Sequence, residues 1–226
     1  AQEAARREAE AKAAEEAAKL AQAKYEALAE LIAYAQTLTY PANHEAAMEA
    51  AMARAKAMIE SAETIDEIPA LLEAAKQELA LATVCYCERF EDLNPESWYH
   101  DAVDYAISHG LFKGMEENLF APGNTMTRGM LVTVLYRFAG EPEVQEQASF
   151  EDVDPTLYYA KAVAWAQANG LVNGVDETHF APNNFVTREQ LVTIFQRYAA
   201  FIGCDTSASA DLSAFEDADI ISPYAK

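Results

Sequence analysis

The sequence lacks several features that identify common protein classes. No apolar run reaches the length of a membrane span. Residues 1–19 contain only alanine, amide and charged side chains, without the apolar segment of a signal peptide, which indicates a mature fragment or an excised piece. With 16 basic against 37 acidic residues, the net charge is −21. This charge argues against a nucleic-acid partner, because phosphate binding requires a basic surface.

The acidity also bears on smaller ligands. An anionic ligand would have to be bound by a local cluster of arginine or lysine, because the molecule as a whole repels it. The simpler interpretation is that the acidity keeps an extracellular or crowded protein soluble. Both interpretations stay open at the level of sequence.

Cysteine is scarce, with three residues in the chain. Cys85 and Cys87 are too close in sequence for an easy disulfide with each other, and their spacing is wrong for a zinc knuckle. Cys204 could pair with either of them, or all three could be free thiols.

Recognisable catalytic and metal-binding motifs are absent from the sequence. There is no serine nucleophile elbow, cysteine–histidine pairing or phosphate-binding loop. The Asp152–Asp154 segment lacks the later glycine and glutamate of a calcium loop, and abundant carboxylates single out no glycosidase pair. The four histidines are scattered without metal-ligand spacing: His44, His100, His109 and His179. We therefore expect no catalytic residue, no metal and no cofactor.

Residues 1–84 are dominated by alanine, glutamate, lysine and arginine, which favour helix. The pattern predicts three helices in an antiparallel bundle. Pro41 ends the first, Asn43 caps the second, and a capping box at Thr64–Glu67 opens the third. The first helix extends about 20 residues beyond its partners, as a solvated single helix or the end of a stalk, and it is a candidate surface for protein partners.

The rest of the chain is an internal repeat. Of the 50 positions in 90–139, 23 are identical to the residue 60 positions later. A third copy begins at Phe215, and the sequence ends at Lys226. A short unit cannot bury its own apolar face, so we expect the copies to pack on one another.

Each copy predicts two helices joined by a glycine- and proline-marked loop. The first copy predicts helices at 99–109 and 127–138, and the second at 159–169 and 187–198. Gly110 and Gly170 are expected to end the first helix of each copy in the left-handed conformation. Phe90, Phe150 and Phe215 open the three copies and are expected in the core.

Several motifs recur in the copies: Phe150–Val153 at the entry, an aromatic residue at the helix start, paired glycines, Phe-Ala-Pro, and Thr-Arg at the second helix. The residues are Trp98, Tyr158, Gly110, Gly170, Gly114, Gly174, Phe120–Pro122, Phe180–Pro182, Thr127, Arg128, Thr187 and Arg188. Together these motifs resemble S-layer homology repeats. The similarity covers about 90–226. Two departures stand out: Met130 and Gln190 replace the glutamate of the family's Thr-Arg-Ala-Glu motif, and the third copy ends before its own motif.

The resemblance implies three repeats around a pseudo-threefold axis. It further implies non-covalent binding of secondary cell-wall polysaccharide, often with pyruvylated sugars, in grooves between repeats, and anchoring to walls of the Gram-positive type. Residues 20–84 are more loosely similar to the three-helix FIVAR spacer modules of such surface proteins.

The Thr-Arg element is the sharpest candidate site. Thr127 and Thr187 suit helix N-caps, whereas Arg128 and Arg188 oppose the helix dipole by roughly 0.3–1 kcal/mol. An anion such as a sugar carboxylate would compensate both the arginine and the free helix N–H groups. The alternative is an internal ion pair of these arginines with an aspartate of a neighbouring copy: Asp92, Asp152 or Asp217.

Other predicted ligand-binding residues have structural alternatives. Trp98 and Tyr158 could stack on sugar rings or lie in the core. Gly114 and Gly174 would serve left-handed turns, with close ligand approach a secondary role. Asp92 and Asp152 complete the predicted set.

We therefore predict a mainly α chain: a three-helix bundle with an extended first helix at 1–84, repeats at 90–140 and 150–202, and the start of a third at 215–226. The predicted function is non-catalytic anchoring at the cell surface through an anionic wall glycan. One alternative is a structural assembly module of a surface layer or appendage without glycan binding. Another is the anchor of a larger extracellular enzyme.

Overall fold

The computed structural model describes residues 2–209 and 211–225, without the side chains of Gln2, Ala5 and Ser213. This part of the chain contains seven α-helices and no strand, so the mainly α prediction is confirmed. The helices are α1 (Gln2–Ala35), α2 (Glu45–Glu60), α3 (Ile68–Leu81), α4 (His100–Ser108), α5 (Arg128–Phe138), α6 (Ala160–Ala168) and α7 (Arg188–Phe201). None of these helices is long and apolar enough to cross a membrane. Lys226, the last residue of the predicted third copy, lies outside the described residues.

The chain divides into two compact units. Unit one comprises Ala1–His109 and Lys113–Phe120, and unit two comprises Gly110–Phe112 and Ala121–Lys226. The first sequence repeat is therefore shared between the units, because its first helix belongs to unit one and its second to unit two. The division into domains at the repeat boundaries stays a prediction.

Unit one is built on the bundle of α1, α2 and α3. Small and branched side chains bury the inward faces, which allows close helix packing: Leu31, Ala51, Ala55, Ile59, Leu72, Ala75 and Leu79. Tyr25 and Ile32 of α1 are exposed although both are apolar.

The first turns of α1 do not contribute to the bundle core. The described side chains of residues 3–19 are exposed. Ion pairs with a four-residue spacing, such as Arg6–Glu10 and Lys19–Glu15, lie along this segment. Each pair stabilises the helix by about 0.2–0.5 kcal/mol. The segment is a solvent-exposed helix, as both alternatives for it, a solvated single helix or the end of a stalk, require.

Two predicted helix caps in the bundle are wrong. Asn43 lies inside a short 3₁₀ turn, Ala42–His44, and α2 begins after it without a side-chain cap. Thr64 does not accept a backbone N–H; its hydroxyl donates to the Glu67 carboxylate, 3.0 Å away, and Glu67 also accepts the N–H of Glu63. A 3₁₀ turn therefore replaces the predicted capping box.

A second, smaller core in unit one forms around α4. It contains Cys87, Phe90, Leu93 and Ile107, with the ring of Phe120 packed edge-on against Phe90 at 5.6 Å between centroids. All three cysteines of the chain are free, which agrees with the free-thiol alternative.

Unit two packs α5, α6 and α7 around one core. Its buried members include Val132, Val163, Trp165, Leu171 and Phe180. Phe150 is buried here as Phe90 is in unit one, but Phe215 is 60% exposed, so its predicted core position is wrong.

The predicted helix boundaries in the repeats hold to within a few residues. Thr127 and Thr187 cap α5 and α7, and Thr187 with Gln190 completes a capping box. Gly110 and Gly170 both have φ of 68°, the left-handed conformation expected after a helix.

Candidate functional site

Arg128 is the first residue of α5, yet its side chain reaches across to the second repeat within unit two. Its Nε donates to the carbonyl oxygen of Phe180 at 2.8 Å, and its terminal nitrogens donate to the Asn173 carbonyl and the Gln190 side-chain oxygen, each at 3.3 Å. The guanidinium also lies over the Phe180 ring, 4.6 Å from its centroid. Arg128 therefore joins two sequence repeats through backbone and side-chain oxygens.

In the described part of the chain, Arg128 is not directly paired with a carboxylate, although the more distant Asp152 carboxylate favours its charge. The residue is 5% exposed, and no acidic group among the described residues lies within ion-pair distance of it. Burial lowers the pKa of its guanidinium, although the site still holds a full charge because arginine remains protonated. The predicted alternative, an internal ion pair, is therefore wrong for Arg128.

The contacts of Asp152 differ from both predicted roles, ligand binding and an ion pair with an arginine. Its two carboxylate oxygens accept the N–H groups of Phe180 and Ala181 at 2.8 and 2.7 Å. Ala181 has a positive φ of 58°, an unfavourable conformation for alanine that these two bonds hold in place. In unit one, Asp92 similarly accepts the N–H of Phe120 at 2.9 Å. Both aspartates are therefore loop supports.

A pocket of about 310 Å³ opens beside Arg128 in unit two. Arg197 of α7 supplies a second guanidinium to its wall, and one of that residue's nitrogens is 3.5 Å from the Leu171 carbonyl oxygen. The remaining wall is mixed in polarity: Val172, Asn173, Gly174, Val175, Gln190, Thr193, Ile194 and Tyr224. We call this cavity the arginine pocket.

Gln190 stands at the fourth motif position, where the related pattern has glutamate. Its side-chain oxygen accepts from Arg128 at 3.3 Å and from the Thr187 N–H at 3.4 Å. An amide satisfies these donors without neutralising them. The substitution therefore places a neutral amide, and not a carboxylate, against Arg128 in the pocket wall.

Tyr224, from the start of the third copy, is held at the pocket by a hydrogen bond to Glu189. The Glu189 carboxylate accepts the Ser222 N–H and hydroxyl, each at 3.0 Å, and the Tyr224 hydroxyl at 2.8 Å. These hydrogen bonds, led by that of the Ser222 backbone, lower the pKa of Glu189. The third position of the Thr-Arg motif thus anchors the third copy.

Several predicted site residues lie away from the arginine pocket. Arg188 and Tyr158 are exposed in unit two, whereas Trp98 is exposed in unit one. At 96% and 59% exposure, Trp98 and Tyr158 are not core residues, so that alternative is wrong. Thr127 and Thr187 accept the backbone N–H three residues later at 3.2 and 3.3 Å.

The two predicted turn glycines differ from each other. Gly114 has the expected positive φ, 82°, whereas Gly174 does not, so its prediction is wrong. Gly174 is required for space instead: an added Cβ would overlap the Asp176 carbonyl, lie 2.5 Å from the His179 carbonyl oxygen and 2.9 Å from the Phe150 ring. Its backbone lines the arginine pocket.

The family comparison agrees with this arrangement of repeats. The sequence model of the S-layer homology domain matches residues 89–129 and 149–192. These segments are S-layer homology repeats. The resemblance seen in the sequence is confirmed for them, whereas the similarity of residues 20–84 to FIVAR modules stays a prediction.

Relatives with similar repeats are long proteins. The chain is 32% identical over 148 residues to the surface-layer 125 kDa protein of Lysinibacillus sphaericus, covering 65% of this chain and 12% of that protein. It is 29% identical over 115 residues to the cellulosome-anchoring protein of Acetivibrio thermocellus, covering 48% and 25%. It is 30% identical over 102 residues to endo-1,4-beta-xylanase A of Thermoanaerobacterium saccharolyticum, covering 45% and 9%. No solved structure matches significantly.

These comparisons bear on location and on catalysis. The cell-surface location expected for S-layer homology repeats is confirmed, since proteins named for the surface layer share them. The xylanase name describes a protein that lies mostly outside the match. It therefore assigns no catalytic role to the repeats.

Sequence reasoning brought only Arg128 and Gly174 to the arginine pocket and missed most of its wall. Arg197 had a usable signal, because an arginine recurs at the same place in both repeats as Arg137 and Arg197. No sequence signal pointed to Asn173 or Tyr224, because their role depends on how the second and third copies pack.

Two of the four histidines lie together, contrary to the prediction that all four are scattered. His44 and His100 meet in unit one beside Cys85 and Asp104, and their four candidate ligand atoms lie within 4.8 Å of one another. His109 is separate and contacts the Glu78 carboxylate at 2.8 Å. His179, in unit two, pairs with Asp176 on the surface.

Proposed function

We propose that this chain is a non-catalytic anchoring module that binds an anionic cell-wall polysaccharide at the arginine pocket. The observation that carries the proposal is the buried Arg128 guanidinium, which lies in the pocket wall without a directly paired carboxylate in the described part of the chain. A buried charge without a counter-ion is costly, and a ligand carboxylate would relieve that cost. The proposed cell-wall role also draws on the surface-layer and cellulosome-anchoring relatives.

The chemistry of the pocket suits a sugar that carries a carboxylate. Arg128 and Arg197 can donate to carboxylate oxygens through charge-assisted hydrogen bonds. The Tyr224 ring and hydroxyl and the Asn173 amide can satisfy the mixed polar and apolar faces of a sugar. A pyruvate ketal on a wall polysaccharide is the ligand group that combines these requirements.

The other residues predicted for ligand binding enter the proposal in supporting roles. Exposed Tyr158 and Trp98 are surfaces on which sugar rings of a long glycan could stack. Arg188 occupies in the second repeat the place that Arg128 has in the first. Its counterparts of Phe180 and Asn173 would belong to a third copy, so a second pocket of the same kind would require those positions.

A structural assembly role is the second candidate function. The exposed, charged first turns of α1 extend beyond the bundle core and offer a surface for another protein. In that case, the chain would join copies or partners in a surface layer without binding glycan. The wall-binding experiment separates the two, because assembly requires no polysaccharide.

The test is sedimentation of the chain with purified, protein-free cell walls, before and after chemical removal of pyruvate ketals. Wild-type protein should sediment with intact walls and remain soluble with depyruvylated walls. Arg197→Lys should weaken binding at least about tenfold, because lysine cannot donate two parallel bonds to a carboxylate. Arg137→Lys is the matched control: Arg137 has the same place in the other repeat and does not line the pocket.

If Arg197→Lys binds walls as well as wild-type protein does, the arginine pocket is not the polysaccharide-binding site. Absence of wild-type sedimentation with any wall preparation would favour the assembly role. Circular dichroism of each variant must show wild-type helicity, so that lost binding reports the pocket and not unfolding.

A further inference from the structure

A cluster of potential metal ligands lies inside unit one, away from the residues used in the proposed function. His44 closes the 3₁₀ turn before α2, His100 opens α4, and Asp104 follows one helical turn later. Cys85 comes from the connection between α3 and α4. His44, His100 and Asp104 are 1%, 4% and 6% exposed, and Cys85 is half-buried.

The distances among these groups fit ligands of one ion better than they fit hydrogen bonds. Asp104 Oδ2 is 3.7 Å from His44 Nε2 and 3.6 Å from His100 Nε2, beyond the usual range for a direct hydrogen bond. Cys85 Sγ is 3.4 Å from His100 Nε2. Neighbouring ligands on a tetrahedral zinc ion, with bonds of about 2.0–2.3 Å, are separated by about 3.3–3.7 Å.

The opposite edges of the two imidazoles and of the Asp104 carboxylate are already fixed by hydrogen bonds. His44 Nδ1 lies 2.9 Å from the Ala82 carbonyl oxygen, and His100 Nδ1 lies 2.9 Å from the Asp101 carboxylate. Both contacts favour a proton on Nδ1, which leaves each Nε2 as a lone-pair donor facing the cluster. Asp104 uses Oδ1 to accept the Cys87 N–H at 2.7 Å, which directs Oδ2 inward. Metal-binding histidines and carboxylates are oriented in this way.

Two of the inward atoms, His44 Nε2 and Asp104 Oδ2, are fully buried. Neither has a hydrogen-bond partner among the residues that the structure describes. Leaving such atoms unpaired is unfavourable, and more so for a charged group. A cation between them would satisfy both at once.

We propose that His44, Cys85, His100 and Asp104 form a zinc site that ties the α3–α4 connection and α4 to the start of α2. Two neutral imidazoles, one thiolate and one carboxylate balance the charge of Zn²⁺, so the buried site becomes neutral. Binding replaces the Cys85 S–H bond with a sulfur–zinc bond and releases one proton to solvent. Four protein ligands fill a tetrahedral shell, which identifies a structural site without an open catalytic position.

The mixed ligand set favours zinc over calcium and magnesium. Imidazole and thiolate suit zinc and its neighbours in the transition series, whereas calcium and magnesium prefer oxygen donors. The chain's many exposed carboxylates could bind metals weakly, so the test must separate the buried cluster from the acidic surface.

The experiment uses the whole chain, treated with a chelator and a reductant and then dialysed. Wild-type protein should bind one equivalent of Zn²⁺, and its melting temperature should rise in zinc. Co²⁺ in place of zinc should give tetrahedral d–d bands and a thiolate-to-cobalt charge-transfer band. Cys85→Ser should lose the charge-transfer band, and both Cys85→Ser and Asp104→Asn should lower zinc affinity at least about 100-fold, since loss of an outer partner alone costs 10–100-fold.

Cys204→Ser and His179→Gln are the matched controls, because these two side chains are exposed and lie in the other unit. Both should bind zinc as wild-type protein does. Wild-type protein that binds no stoichiometric zinc, or a cobalt complex without a thiolate band, would overturn the proposal even if a ligand variant failed to fold. Unchanged zinc affinity in folded Cys85→Ser would also overturn it and assign binding to the acidic surface.

Discussion

The Nε of Arg128 donates a 2.8 Å hydrogen bond to the carbonyl oxygen of Phe180, 52 residues later in the chain. The bond joins the second helix of one repeat to the Phe-Ala-Pro loop of the next. Arg188 has the same place in its own repeat but remains exposed. Two arginines at the same position of two repeats therefore have different roles within one chain.

This difference predicts unequal effects on stability. Arg128→Lys removes the planar guanidinium that donates to Phe180, Asn173 and Gln190. It should lower the free energy of unfolding by about 1–3 kcal/mol. Arg188→Lys should change it by less than about 0.5 kcal/mol, as for other exposed sites. Urea unfolding followed by circular dichroism measures both. Equal losses in the two variants would contradict the assigned role of Arg128.

Gln190→Glu should stabilise unit two at neutral pH. The new carboxylate would accept from Arg128 as a charge-assisted bond and would keep the bond from the Thr187 N–H. We expect a gain of about 0.5–2 kcal/mol in the free energy of unfolding. The gain should disappear as the pH falls and the carboxylate becomes protonated. No gain at pH 7 would mean that Arg128 is already compensated.

Glu78 should contribute to the acid stability of unit one. Its burial favours the neutral acid, but hydrogen bonds from His109 and Arg54 outweigh burial and lower its pKa. A carboxylate with a lowered pKa stabilises the fold above its ordinary pKa near 4.5, and that stabilisation is lost as pH falls through the folded value.

Glu78→Gln should therefore destabilise the chain at pH 7 by about 1–3 kcal/mol. The difference from wild-type protein should shrink below about pH 4, where the native carboxylate is also protonated. Chemical unfolding at a series of pH values measures this difference. Glu73→Gln, on the exposed face of the same helix, serves as the control and should show little change. A Glu78 effect independent of pH would indicate packing in place of charge.

Gly174→Ala should be costly although the backbone there is ordinary. The added methyl group would meet the Asp176 and His179 carbonyl oxygens and the Phe150 ring. Overpacking of this kind costs about 1–3 kcal/mol or more. Gly123→Ala is the matched control, because nothing lies within 4 Å of its Cβ position. The melting temperature of Gly174→Ala should lie well below those of Gly123→Ala and wild-type protein. Equal melting temperatures would contradict this account.

Local patterns predicted the parts of the fold that depend on neighbours in sequence. Thr127 and Thr187 cap their helices, and Gly110 and Gly170 end theirs, because caps and left-handed turns are formed within a few residues. The prediction for Asn43 failed because a 3₁₀ turn displaced the start of α2 by one residue. Local signals identify a helix more reliably than its first residue.

The sequence by itself determined the mainly α architecture, the repeats and their family, because helix propensity, capping and a fixed 60-residue offset are properties of the chain alone. The tertiary structure decided which residues meet. It placed Arg128 against the second repeat, gave the pocket its second arginine, Arg197, and gathered His44, Cys85, His100 and Asp104 from segments up to 60 positions apart. Side-chain direction and packing between distant segments fix such encounters, and no spacing along the chain encodes them.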